Sequence, residues 1–147
     1  MADYFTNLSL VLNLPDEAAQ TYALELAHHA SGARQGNELP DDFPKPLTDV
    51  IDDWDFETES DSSAEGHGLW FHSDCGGVDA LCAFLQHLLQ RFDPGRSVTF
   101  EWSHDCSKPR TDAYGGGAAV ITAHEIKTFN TGQWLRETAN SGKAPAA

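Results

Sequence analysis

Positive charge is what this chain has least of: nine Lys and Arg stand against 23 Asp and Glu, for a formal net charge of −14. A surface of that sign repels nucleic acid and anionic membrane, so direct binding to either is not expected. No run approaches the roughly 18 apolar residues needed to span a bilayer. The first residues, Met1-Ala2-Asp3-Tyr4, have no basic segment and no apolar one. No secretory leader is expected from them, and the setting is read as cytoplasmic. Cysteines are few and odd in number (Cys75, Cys82 and Cys106), which argues against a disulfide framework in a chain that is 40% hydrophobic. There is no Walker lysine, no GxGxxG, no CxxC pair and no EF-hand order of ligands. The usual signatures of nucleotide, zinc and calcium sites are therefore missing.

What is abundant is acid, and it is unevenly spread. Between Glu38 and Glu65 lie 11 of the 23 acidic residues and one base, Lys45. Those 28 residues carry −10 (1 − 11), and the other 119 carry −4 (8 − 12). A field this local draws in cationic protein surfaces or metal ions.

Periodicity sets the organisation. Leu8, Leu10 and Leu12 alternate as a strand. Pro15-Asp16-Glu17 opens a helix whose stripe is Ala19, Tyr22, Ala23, Leu26 and Ala30, closed by Ser31-Gly32. A short helical turn is expected over Leu47–Ile51. Trp54 to Glu59 alternates apolar and acidic residues and predicts a strand paired with Leu69–His72. Val78–Phe92 is the strongest helix, stopped by Asp93-Pro94-Gly95, with Leu81, Leu85 and Leu88 inward and His87 opposite, in solvent. Val98, Phe100 and Trp102 alternate in a further strand, followed by one over Ala118–Ala123.

That order predicts an α+β, ferredoxin-like (split βαβ) antiparallel sheet with two helices on one face and an added C-terminal strand. Residues 1–136 form one domain in this reading and 137–147 a disordered tail. The uncovered sheet face would display Asp55, Glu57, Glu59 and Glu101 beside Trp70, His72, Asn7 and Ser9. Such a face is either a docking surface or a solvated one whose charges prevent aggregation.

Two short segments echo each other: His72-Ser73-Asp74-Cys75 and His104-Asp105-Cys106. His72, Cys75, His104 and Cys106 have the donor types of a tetrahedral zinc site, although the spacing is not that of a standard element. Read otherwise, the cysteines are small buried hydrophobes. Cys75, just before Gly76-Gly77 and a helix start, is also a candidate nucleophile, opposed by the neighbouring Asp74. No catalytic residue is assigned, and the balance lies against an enzyme. Lys108, Arg110, Tyr114 and Gly115-Gly116-Gly117 form the one positive loop, suited to a carboxylate or phosphate or to pairing with the chain's own acids.

The stretch Trp102–Arg110, then Tyr114-Gly115-Gly116-Gly117-Ala118 and Asn130–Leu135, resembles a group of uncharacterised bacterial proteins often carried by plasmids and phages. The resemblance covers the last third of the chain. It implies an accessory role in mobile-element biology and transfers no catalytic residue.

The functional expectation is a non-enzymatic interaction protein. Asp52, Asp53, Asp55, Glu57, Glu59, Asp61, Trp70 and Glu101 would engage a basic protein surface and regulate or inhibit a nucleic-acid-binding partner. The alternative is a zinc- or small-ligand-binding module built on the His/Cys cluster. No cofactor is expected otherwise, and the sequence leaves the oligomeric state open.

Overall fold

Residues 2–61 and 66–143 are described by a computed structural model. The chain is α+β, with a six-stranded, open, antiparallel sheet and four helices. The strands are β1 (Tyr4–Leu14), β2 (Glu57–Asp61), β3 (His67–Ser73), β4 (Val98–Cys106), β5 (Gly115–Ile121) and β6 (Ile126–Asn130). Their order across the sheet is β2-β3-β1-β4-β5-β6. The helices are α1 (Glu17–Arg34), the single turn α2 (Lys45–Thr48), α3 (Val78–Phe92) and α4 (Thr131–Lys143).

Alternation places Leu8, Leu12 and Leu14 of β1 in the core, and Leu69, Phe71, Val98, Phe100, Trp102, Ala119 and Ile121 follow the same parity. With α1 and α3 they form one apolar cluster, and among the described residues none of the fully buried ones is polar. Asp16 caps α1, its side chain accepting from Ala19 N at 2.8 Å. The helix does not stop at Ser31-Gly32. It runs to Arg34, and the Gly32 carbonyl accepts from Gln35 and Asn37. The extension is two residues, Ala33 and Arg34, and glycine's modest helix penalty is small enough for the last turn to carry through Gly32.

Helix α3 matches its predicted limits and buries Leu81, Cys82, Phe84, Leu85, Leu88 and Leu89. It starts at Gly77, held at φ +94°, where an added Cβ would lie 3.0 Å from Phe56 and 3.1 Å from the Asp53 carbonyl. Glycine is required there on both counts. His87, expected in solvent, is half-buried instead: its Nε2 lies 2.7 Å from the Tyr22 hydroxyl of α1.

Three other expectations change. The strand predicted from Trp54 begins only at Glu57. Trp54 and Phe56 are buried as foreseen, but they stack on each other at 4.9 Å and on Phe84 of α3, outside any ladder. The sheet has a strand more than predicted, because Thr122–Glu125 forms a turn that returns β6 against β5. Helix α4 then occupies Thr131–Lys143, through much of the stretch read as a disordered tail; residues 144–147 lie outside the described set.

Candidate functional site: the exposed face of the sheet

Strand parity builds this surface. In β2, Glu57 and Glu59 are exposed, in register with His72 and Trp70 of β3, and these with Ser9 and Val11 of β1. Across β1, Asn7 faces Ser103 and Phe5 faces Asp105 of β4. Glu101 of β4 faces Ala118 of β5, which faces Phe129 of β6. Two rows of carboxylates thus stand on one face, Glu57 and Glu59 on β2 and Glu101 and Asp105 on β4. Three strand spacings separate them, roughly 14 Å. Asp61 ends the first row, in register with Gly68.

Between the rows lies an ordered polar and aromatic strip. Trp70 and His72 stack with centroids 3.8 Å apart, and Trp70 Nε1 donates to Ser9 Oγ at 2.8 Å. His72 Nε2 lies 2.6 Å from Glu59 Oε2. Asn7, Ser9, Glu101 and Ser103 line a shallow groove of about 370 Å³ beside this strip. Trp70 is 38% exposed, and Val11, Val120 and Phe129 are exposed too. Among the described residues no side chain forms a hydrogen bond or ion pair with the carboxylate of Glu57 or Glu101.

Four of the five arginines are committed elsewhere. Arg34 donates to the carbonyls of Ile51 and Asp52 and to Asp55 Oδ1, the last at 2.6 Å. Arg91 lies over the Tyr22 ring, Arg96 donates to the Asn13 carbonyl, and Arg110 donates to the Tyr4 hydroxyl. The acidic rows therefore keep their field.

Not all the predicted acids belong to that surface. Asp52, Asp53 and Asp55 sit where α1 ends and α3 begins, and two of them hold the fold. Asp53 Oδ2 accepts from Ala80 N at 3.0 Å, bracing the start of α3. Burial raises the Asp53 pKa, as do the charges of Asp79 and Asp55, against the hydrogen bonds from Ala80 and Asp79 that lower it. Asp55 is the partner of Arg34, and its carbonyl accepts from Ser73 Oγ at 3.0 Å. These contacts keep the 53–56 segment against α3 and out of the ladder.

The four residues considered for zinc do not converge. His72 is in register with Ser9, whereas His104 is in register with Thr6 and lies 2.9 Å from its hydroxyl through Nδ1. Ser9 and Thr6 have opposite parity on β1, so the two imidazoles leave opposite faces of the sheet. Among the described residues no group of three or more His, Cys, Asp or Glu is arranged to hold a metal ion. Cys75 is exposed, with its Sγ 3.2 Å from the Asp55 carbonyl, and Cys106 is buried. Cys82 is buried as well, and its thiol is pushed up to about 12 by burial and by Asp79 and Asp53.

The positive loop is also used internally. Tyr114 donates to the Cys106 carbonyl at 3.0 Å, and Arg110 turns to Tyr4. Gly115, Gly116 and Gly117 are the start of β5, not a free loop. A Cβ on Gly117 would overlap the Trp102 indole, so this glycine is there to let the ring pack. Lys108 is exposed.

Sequence reasoning missed Val11, Asp105 and Phe129 on the exposed face. The signal was available for Asp105, since the alternation of β4 continues through His104-Asp105-Cys106. No helix among the described residues is long and apolar enough to cross a membrane. Comparison with family models, with curated proteins and with solved structures returned no significant match.

Proposed function

We propose that the protein is a non-enzymatic interaction module whose exposed sheet face engages a basic protein surface, one that otherwise binds DNA or RNA, and so occludes it. The observation that carries this reading is the pair of carboxylate rows flanking the Trp70–His72 strip, with no cation among the described residues drawn over Glu57 or Glu101. Successive outward residues on a strand repeat at roughly 7 Å. A regular line of negative charge is the property by which a phosphate backbone collects Lys and Arg. Trp70 adds a ring face on which a guanidinium can stack.

In this reading the first four strands follow the split βαβ plan, with α1 and α3 over the opposite face. Its support is the order β2-β3-β1-β4 with every pair antiparallel. The module acts in the cytoplasm, and the resemblance to plasmid- and phage-borne proteins suggests an accessory role in mobile-element biology.

The test is a low-salt pull-down with the wild-type chain and with the triple variant Glu57→Gln, Glu59→Gln, Glu101→Gln. Electrostatic steering makes association the sensitive step, so the triple variant should associate at least about tenfold more slowly and lose its partner at moderate salt. Equal recovery by a triple variant with unchanged circular dichroism removes this function.

A further inference from the structure

We propose that the chain forms a symmetric homodimer by pairing β6 with β6 of a second copy, with α4 completing the contact. The sheet has two edges, and they differ. β2 presents Glu57, Glu59 and Asp61, so two copies meeting there would oppose like charges. β6, Ile126-Lys127-Thr128-Phe129-Asn130, is exposed at every residue and holds one charge, Lys127, with Glu125 3.7 Å away. It has neither proline nor a run of charge to block strand addition.

Charge also says which occupant fits. Residues 1–97 contain 18 acids and four bases (4 − 18), which is the whole net charge of −14. Residues 98–147 contain five of each (5 − 5) and are neutral. A basic partner is drawn to the acidic first part and to the carboxylates of β4, and has nothing to seek at β6. A second copy is repelled everywhere except at this neutral end.

Antiparallel pairing centred on Thr128 sets Lys127 of each copy opposite Phe129 of the other, a cation–ring pair made twice by symmetry. Ile126 then faces Asn130. Helix α4 follows directly, and every residue from Gln133 to Ser141 is exposed, with Trp134 at 50% and Leu135 at 59%. Trp134, Leu135, Thr138 and Ala139 form a stripe at spacings of one, three and four. An isolated helix of this length is marginal in water, so α4 draws its stability from what covers that stripe.

Light scattering on the purified full chain decides it. The expected mass is twice that of one chain, and it persists in molar salt because the contact is not acidic. Phe129→Lys, which sets two cations across each pair, should weaken the dimer by about tenfold or more. Adding Lys127→Glu to that variant should restore it. Leu135→Glu, an exposed change in α4, should also split the dimer while leaving circular dichroism of the sheet intact. A single-chain mass for the wild type, or a dimer indifferent to both Phe129→Lys and Leu135→Glu, overturns the proposal; neither result touches the acidic-face reading, which is scored by partner recovery.

Discussion

Helices α3 and α4 are nearly the same length and both are amphipathic, yet α3 is sunk in the core and α4 lies on the surface. The 15 residues of α3 bury seven side chains against β-strands and the Trp54–Phe56 segment. The 13 residues of α4 touch the body through their first turn, where Thr131 Oγ1 accepts from Gly116 N at 2.9 Å. Amphipathicity is thus a statement about what a helix can bury, and only the fold decides whether it does so within one chain. The same contrast runs through the charge: the part of the chain that contains α3 holds the whole net charge, and the part that contains α4 is neutral.

The sharpest way to break the comparison is to delete a ring from each helix. Phe84→Ala removes a fully buried ring that meets Trp54, Phe56 and Phe71. It should cost about 3–5 kcal/mol in urea unfolding. Trp134→Ala, measured at a concentration where the chain is monomeric, should stay within about 0.5 kcal/mol of wild type. A loss of several kcal/mol from Trp134→Ala would mean that α4 is packed within its own chain.

A smaller effect separates acids that hold the fold from acids that face outward. Asp53→Ala orphans the Ala80 N–H at the start of α3 and should cost about 1 kcal/mol. Asp53→Asn keeps an oxygen for that donor and removes a charge whose pKa is raised in the fold. The sign follows from linkage. A carboxyl that holds its proton more tightly when folded favours the folded state at low pH, and that contribution is lost as pH rises from the ordinary 3.8 through the raised value. Asp53→Asn should therefore be neutral or slightly stabilising at pH 7, and chemical denaturation of the two variants side by side checks it. Glu57→Gln should change stability in neither direction by more than about 0.5 kcal/mol.

Much of this was legible before any coordinates. Helix α3 was readable to the residue because Gly77 and Asp93-Pro94 punctuate it and its apolar spacing is regular. The parity of Glu57, Glu59, Trp70 and Glu101 was readable because a strand that covers a core must alternate. The 54–56 segment misled because burial of Trp54 and Phe56 against α3 gives the same alternation as a ladder. β6 and α4 left weak signals, since neither buries a face of its own in this chain. The His72 and His104 echo failed for a reason invisible in a linear reading. Each segment is set by its register with β1, and Ser9 and Thr6 differ in parity.

The smallest effect lies where the two long helices meet. Tyr22 of α1 and His87 of α3 stack with centroids 5.9 Å apart, while Arg91 lies over the Tyr22 ring. Burial lowers the His87 pKa below 6.5, and the Arg91 charge lowers it further; the charge of Asp42 acts on Tyr22 and raises its pKa. A base whose pKa is lowered in the fold takes up its proton more readily when unfolded. Stability from this site is therefore complete above the ordinary value of 6.5 and is lost as pH falls below it toward the folded-state value. Burial also raises the Tyr22 pKa above 10.0, so the hydroxyl stays protonated across that range and the pair fails again only in alkali. Urea midpoints between pH 7.5 and 5.5 should fall for the wild type and fall less for His87→Gln, which cannot charge. Identical slopes would place the acid sensitivity of the fold in its carboxylates alone and remove His87 from the account of how α1 and α3 are joined.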